Sequence, residues 1–192
     1  MATVESLPLF PLHSVLLPGA ALALRVFERR YLDLVRDCGR SGGGFGVCLI
    51  LEGEEAGAPA TPAAFGTEAL IEDFDLGADG LLSLRVRGHR RFRVVRTRVR
   101  DNGLVMADVA WLGADGDDAL RPEHALLGTL LQTMLDKAGT DLRGVPPRAF
   151  EHAAWVGWRL AQVLPISAEQ RVSVLQEDDV HVRLQRLLEW ID

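Results

Sequence analysis

The sequence predicts an α+β protein, with strands filling the first part of the chain and helices the second. Three observations predict it. From Leu7 to Leu112 apolar residues alternate, or gather in short buried-type runs, between Pro-Gly, Gly-Gly and Asn-Gly turns. Across Gly113-Ala114-Asp115-Gly116-Asp117-Asp118 the composition shifts. Beyond that point the apolar period becomes helical and stays so to Ile191. The expected division is a β-rich subdomain over residues 1–114 and a helical subdomain over 115–192. With 48% hydrophobic residues among 192, the chain has enough apolar material for a folded core and is not disordered.

The elements follow in order. Leu7 to Leu12 contains Pro8 and Pro11, which lack backbone donors, so this strand is expected at a sheet edge or rim. Val15 to Leu17 and Ala21 to Phe27 are expected to pair about the Pro18-Gly19 turn. A short inserted helix then places Tyr31, Val35 and Cys38 on one face, with Glu28 in its first turn and Gly39 as its stop. Val47 to Leu51 reads as a buried strand, and Glu52 to Ala64 as a mobile Gly/Ala/Pro loop. Strands are expected from Phe65 to Phe74, Leu81 to Arg87, Phe92 to Val99 and Leu104 to Leu112. Asp101-Asn102-Gly103 predicts a tight primed hairpin between the last two.

In the second half, a helix from Pro122 to Ala138 carries Leu126, Leu127, Leu130, Leu131, Met134 and Leu135 as a broad apolar face. A second follows Pro146-Pro147 and stops at Pro165. A third opens at Ser167, with Gln170 completing a capping box. The last starts near Asp178-Asp179 and carries Val180, Leu184, Leu187 and Leu188.

Composition narrows the chemistry. The net charge of −6 argues against a protein that coats nucleic acid with its whole surface. Lys137 is the only lysine among 21 basic residues, and Ala138 follows it, so no P-loop can form. The same lysine sits near a helix end, where a cation is ordinarily favourable, which points away from Schiff-base or Ser-Lys chemistry. Cys38 and Cys48 have neither zinc-site nor redox spacing and read as buried thiols in a reducing cytoplasm. His13, His89, His124, His152 and His181 form no metal-binding pair, and no G-x-S-x-G elbow is present. No catalytic, cofactor or metal residues are therefore assigned. The apolar amino end lacks a basic n-region and is broken by Pro8, Pro11 and Pro18, so neither signal peptide nor membrane span is expected.

Two features carry candidate contacts. Eight arginines and His89 lie between Arg85 and Arg100, while Glu52 to Asp79 holds eight acids and no Lys or Arg. Folded about the Gly77 to Gly80 turn, Glu68 and Glu72 would share a sheet face with Arg85, Arg87 and His89, and cross-strand pairing would absorb much of the basic run. The alternative is a phosphate-binding stripe over Arg85 to Arg100 that binds RNA; only Phe92 interleaves it. Trp155 and Trp158 lie three residues apart on the second helix of the helical half. Such a pair suits core packing or, if partly exposed, anchors for an extended peptide.

Leu7-Pro8-Leu9-Phe10-Pro11-Leu12, Val15-Leu16-Leu17-Pro18-Gly19 and Phe27-Glu28-Arg29-Arg30-Tyr31, in this order, resemble the opening signature of the Lon protease N-terminal domain family. Phe45-Gly46-Val47, Phe65-Gly66-Thr67, the Gly88 to Val94 stretch, Leu164-Pro165-Ile166-Ser167 and Gln176-Glu177-Asp178-Asp179 extend the resemblance over nearly the whole chain. It implies a PUA-like twisted six-stranded β pseudo-barrel with one inserted short helix, followed by four helices, acting as a substrate-recognition module. In that frame Phe10, Phe27 and Tyr31 are expected in the core. The ATPase and Ser-Lys protease modules of full-length Lon are not expected here, so the chain reads as non-enzymatic. Its expected partners are unfolded or extended polypeptide segments and a separate Lon protease, held in a cleft between the two halves. Trp155 and Trp158 are expected as apolar anchors, and Arg87, Arg90 and Arg91 as charge-selective contacts.

Overall fold

A computed structural model describes residues 3–191. The chain divides into two compact units, one ending at Leu112 and one beginning at Gly113. The first holds β1 (Val4–Leu12), β2 (Ala21–Val26), α1 (Arg29–Ser41), β3 (Phe45–Glu52), β4 (Thr61–Leu76), β5 (Leu82–Val99) and β6 (Val105–Trp111). Strand order is β2-β5-β4-β3-β1-β6, and an added β5–β6 pairing closes the last five into a ring. Closure is possible because β5 is 18 residues long. Its start pairs with β2, its end with β6, and β4 runs beside it from Leu82 to Arg93.

β1 is not at the edge its prolines predict. It lies between β3 and β6, but the two neighbours share it by halves: Val4 to Pro8 register with β6, and Leu9 to Leu12 run parallel with β3. Pro8 sits at the handover, where its missing donor disrupts least. The core of the ring gathers Leu7, Leu9, Cys48, Phe92, Val105, Ala107 and Val109. Phe10 stacks on Tyr31 with centroids 4.0 Å apart and tilts against Phe45.

Several local expectations change. Phe27 is 61% exposed, not core, because Val26 takes the inward position at the end of β2. Val15 to Leu17 forms no strand; the turn that follows it is tied to β5 by backbone bonds of 2.8 Å, Gly19 N–H to Gly88 O and Gly88 N–H to Ala20 O. Helix α1 runs past Gly39, and Glu28 precedes it as N-cap. The helix ends at Gly42, whose φ of +70° lets its N–H reach Cys38 O. The loop expected over 52–64 shrinks to residues 53–60, since Pro62 pairs with Ile50 across an irregular register. The Asp101 to Gly103 hairpin forms, but only Gly103 has positive φ, +86°. Its N–H reaches Arg100 O, and Arg100 N–H reaches Leu104 O, the wider turn with a glycine bulge rather than the primed turn.

The second unit contains α2 (Ala125–Lys137), α3 (Ala153–Val163), α4 (Ala168–Leu175) and α5 (Val180–Glu189). The first two expected helices are shortened at their starts. Pro122–His124 and Pro147–Glu151 are single 3-10 turns, and extended backbone at His152 separates the latter from α3. The apolar face of α2 is narrower than its leucines suggest: Leu127, Leu131 and Leu135 are buried while Leu126 is 81% exposed. The capping box of α4 is complete, with Gln170 N–H 3.0 Å from Ser167 Oγ and Ser167 N–H 2.8 Å from Gln170 Oε1. Asp179 caps α5 by accepting from His181 and Val182 N–H, and those bonds lower its carboxyl pKa. Among the described residues no helix is long and apolar enough to cross a membrane.

Candidate functional site

The two tryptophans of α3 have different surroundings. Trp158 is buried; its indole N–H donates to Asp115 Oδ2 at 2.7 Å. The Arg183 guanidinium lies 3.8 Å from its ring centroid and donates to both Asp115 oxygens at 3.1 and 3.2 Å. Arg183 has no exposed surface, so Asp115 is its compensating charge inside the unit.

Trp155, one turn earlier, is half-buried and packs edge-on against Phe150 with centroids 5.0 Å apart. Its backbone N–H donates to His152 Nδ1 at 3.2 Å. That nitrogen therefore accepts, which leaves Nε2 to carry the proton and donate to Asp117 at 2.9 Å. The first turn of α3 is thereby pinned to the incoming chain. Leu120 N–H to Glu151 O and Ala153 N–H to Asp118 O, both 2.8 Å, add a short antiparallel contact between Ala119 and His152. The result is a pocket of about 580 Å³ that Trp155, Pro146 and Ala149 line with apolar surface, Asp117, Asp118 and Glu151 with acid, and Arg148 and His152 with basic groups.

The three candidate arginines belong to β5 in the other unit. Arg87 binds the Glu72 carboxylate and donates to Gly19 O at 2.9 Å. Arg90 donates to both Glu68 oxygens at 2.9 and 3.2 Å and lies over Trp111, 3.7 Å from its centroid. Arg91 is buried. The expected cross-strand pairing is present: Glu72 faces Arg85 and Arg87, and Glu68 faces His89. Burial raises the Glu68 pKa, but hydrogen bonds from Arg90 and His89 outweigh it and hold the carboxyl below its usual range. Arg87 does the same for Glu72.

Asp108 on β6 is not among the residues that the sequence pattern singles out. It binds Arg96 and Arg98 and is held low chiefly by Arg96. The signal, one acid in the alternating run after the Asn-Gly turn, was present, but its partners depend on the β5–β6 register. Asp115, Asp117 and Asp118 were read only as a composition shift, yet each anchors a side chain of the helical unit: Trp158, His152 and His181 in turn. Both thiols are free and buried, which pushes Cys38 to about 11 and Cys48 to about 12. Among the described residues no group of His, Cys, Asp and Glu could hold a metal ion.

This architecture has close counterparts. Aligned with the crystal structure of a Lon N-terminal domain protein from Xanthomonas campestris, the chain is 62% identical, with a TM-score of 0.84 over 97% of this chain and 98% of that one. The N-terminal domain of a Mycobacterium avium complex Lon protease is 18% identical and shares the fold, with a TM-score of 0.71 over 97% of both chains. None of the curated proteins matches. The family model of the ATP-dependent protease La (LON) substrate-binding domain matches residues 6–192, and the chain belongs to that family.

Proposed function

We propose that this chain binds exposed or extended segments of other polypeptides, in a role tied to proteolysis or protein quality control, and that Trp155 is the apolar anchor of that binding. Membership of a substrate-binding family supports the ligand class. The observation that carries the surface is the half-exposed Trp155 ring in its pocket of about 580 Å³, held in place by Phe150 and His152. A rigid indole gives large contact area at small entropic cost, and a rim on which three carboxylates outnumber Arg148 favours segments that mix apolar and basic residues. Trp158, buried against Arg183 and Asp115, is not part of that surface. Arg87 and Arg90 are engaged by Glu72 and Glu68, so neither is a free cation for a phosphate.

The test is fluorescence anisotropy with a labelled, carboxymethylated and permanently unfolded protein, run beside a labelled single-stranded RNA at physiological salt. The unfolded protein is expected to bind, and Trp155→Ala to weaken it about tenfold or more with an unchanged melting temperature. Binding that ignores Trp155→Ala overturns the anchor. RNA binding that falls steeply with salt and is lost on Arg87→Ala or Arg90→Ala overturns the polypeptide reading in favour of RNA.

A further inference from the structure

The first unit contains a second surface suited to a polypeptide, built from main chain rather than from an aromatic anchor. β4 has 16 residues, and β3 has 8. Their last registered pair is Phe45 with Ala69, so from Leu70 to Leu76 strand β4 is paired with β5 alone. One side of that stretch is an open sheet edge. Among the described residues no other strand covers it, and its large apolar residues are not withdrawn: Phe74 and Leu76 are each 70% exposed. Beside it lies a groove of about 710 Å³, lined by Leu32 and Val35 of α1 on one wall and Ile71, Phe74 and Leu82 on the other.

We infer that the Leu70 to Leu76 edge of β4 accepts an added strand from another polypeptide, whose residues alternate between apolar and basic. Strand pleating explains the pattern. Phe74 and Leu76 fall on the face that carries Leu84 and Leu82, while Asp73 and Asp75 fall on the face that carries Arg85 and Ser83. An incoming strand would therefore set alternate side chains into the groove beside α1, and the rest beside Asp73 and Asp75. Glu72, at the bulge, is committed to Arg85 and Arg87, whereas Asp73 and Asp75 make no ion pair among the described residues. Asp73 instead accepts the Phe74 N–H at 2.9 Å, a local stand-in for a missing ladder bond that an incoming carbonyl would replace. The same acids select against a second copy of this chain, since edge-to-edge pairing would bring like charges together. Main-chain bonds give affinity without sequence preference, and the alternating pockets supply selectivity.

This edge shares a ligand class with the Trp155 surface but none of its residues, so either can fail alone. The probe is a soluble peptide of about seven residues alternating Val and Lys, long enough to match the edge. Its controls are the same peptide N-methylated at alternate residues and a Val/Glu version. Calorimetry gives affinity, and amide hydrogen exchange gives location. The Val/Lys peptide is expected to slow exchange within residues 70–76, and to bind about tenfold more tightly than the Val/Glu peptide. N-methylation of the paired edge is expected to abolish binding. The double variant Asp73→Lys, Asp75→Lys is expected to reverse the charge preference, and Asp73→Asn, Asp75→Asn to erase it, with melting temperatures reporting that each is folded. The inference is overturned if the N-methylated peptide binds equally well. It is also overturned if protection maps to α3 and disappears with Trp155→Ala alone, or if the free protein sediments as a dimer with its edge amides already protected.

Discussion

In the β unit, charge is spread over cross-strand pairs whose arginines keep contact with solvent, although the Glu68 and Asp108 carboxylates are buried: Arg85 and Arg87 with Glu72, Arg90 with Glu68, Arg96 and Arg98 with Asp108. In the helical unit a guanidinium with no exposed surface donates to the Asp115 carboxylate and the Glu177 carbonyl and lies against a tryptophan ring. The contrast teaches where each unit keeps its specificity. A closed sheet has its register set by main-chain bonds and apolar alternation, and its surface charges decorate that register. Four short helices have no such ladder, so Arg183, Asp115 and Trp158 specify how α3, α5 and the entering chain meet. Removing one surface pair loses little, whereas removing one member of the buried set strands a charge.

That difference can be broken most directly at its deep end. Asp115→Ala is expected to cost about 3–5 kcal/mol in chemical denaturation, because the buried Arg183 guanidinium loses the carboxylate that accepts two of its hydrogen bonds. Adding Arg183→Met should recover much of the loss; no recovery would mean that Asp115 acts through some other contact. In the β unit a comparable loss is expected from an apolar deletion. Phe92→Ala, at the centre of the ring, is expected to cost about 3–5 kcal/mol as well. Ser167→Ala removes one half of the capping box and should lower stability by about 1 kcal/mol.

Acid sharpens the comparison further. The folded-state pKa of Glu68 lies below its usual 4.5, so its charged form adds stability above that value, and the contribution is lost as pH falls through the lowered pKa. Glu72 and Asp108 act in the same direction. The β unit is therefore expected to lose stability below about pH 4.5, and Glu68→Gln to flatten that part of the profile in circular dichroism. An unchanged acid limb would show that these pairs contribute nothing. The smallest effect belongs to Arg85→Ala, because Glu72 keeps Arg87; a melting-temperature shift as large as that of Ser167→Ala would contradict the picture.

Much of this could be read without coordinates. The change of period at Gly113, the Ser167 capping box and the Glu68 and Glu72 pairing with β5 are local or near-local patterns, and each is in the structure. Errors cluster where a local rule met a non-local partner. Pro8 and Pro11 mark an edge by themselves, yet β1 is interior because two neighbours divide it. Phe27 resembles a core residue in its motif and is exposed because Val26 has the inward place. Leu126 belongs to an apolar helix face that the small helical unit is too narrow to cover.

By itself the sequence determined the fold class, the order of its elements and the sign of charge along each strand, since helical and strand periods and turn chemistry act over a few residues. Only the tertiary structure decided that Trp158 is buried while Trp155 is only partly so, that Asp108 meets Arg96, and that β4 outruns β3 to leave an open edge. Those outcomes depend on which distant segments pair and how their lengths match. A period of two or 3.6 assigns each residue to a face, and the neighbour that covers that face is chosen elsewhere in the chain.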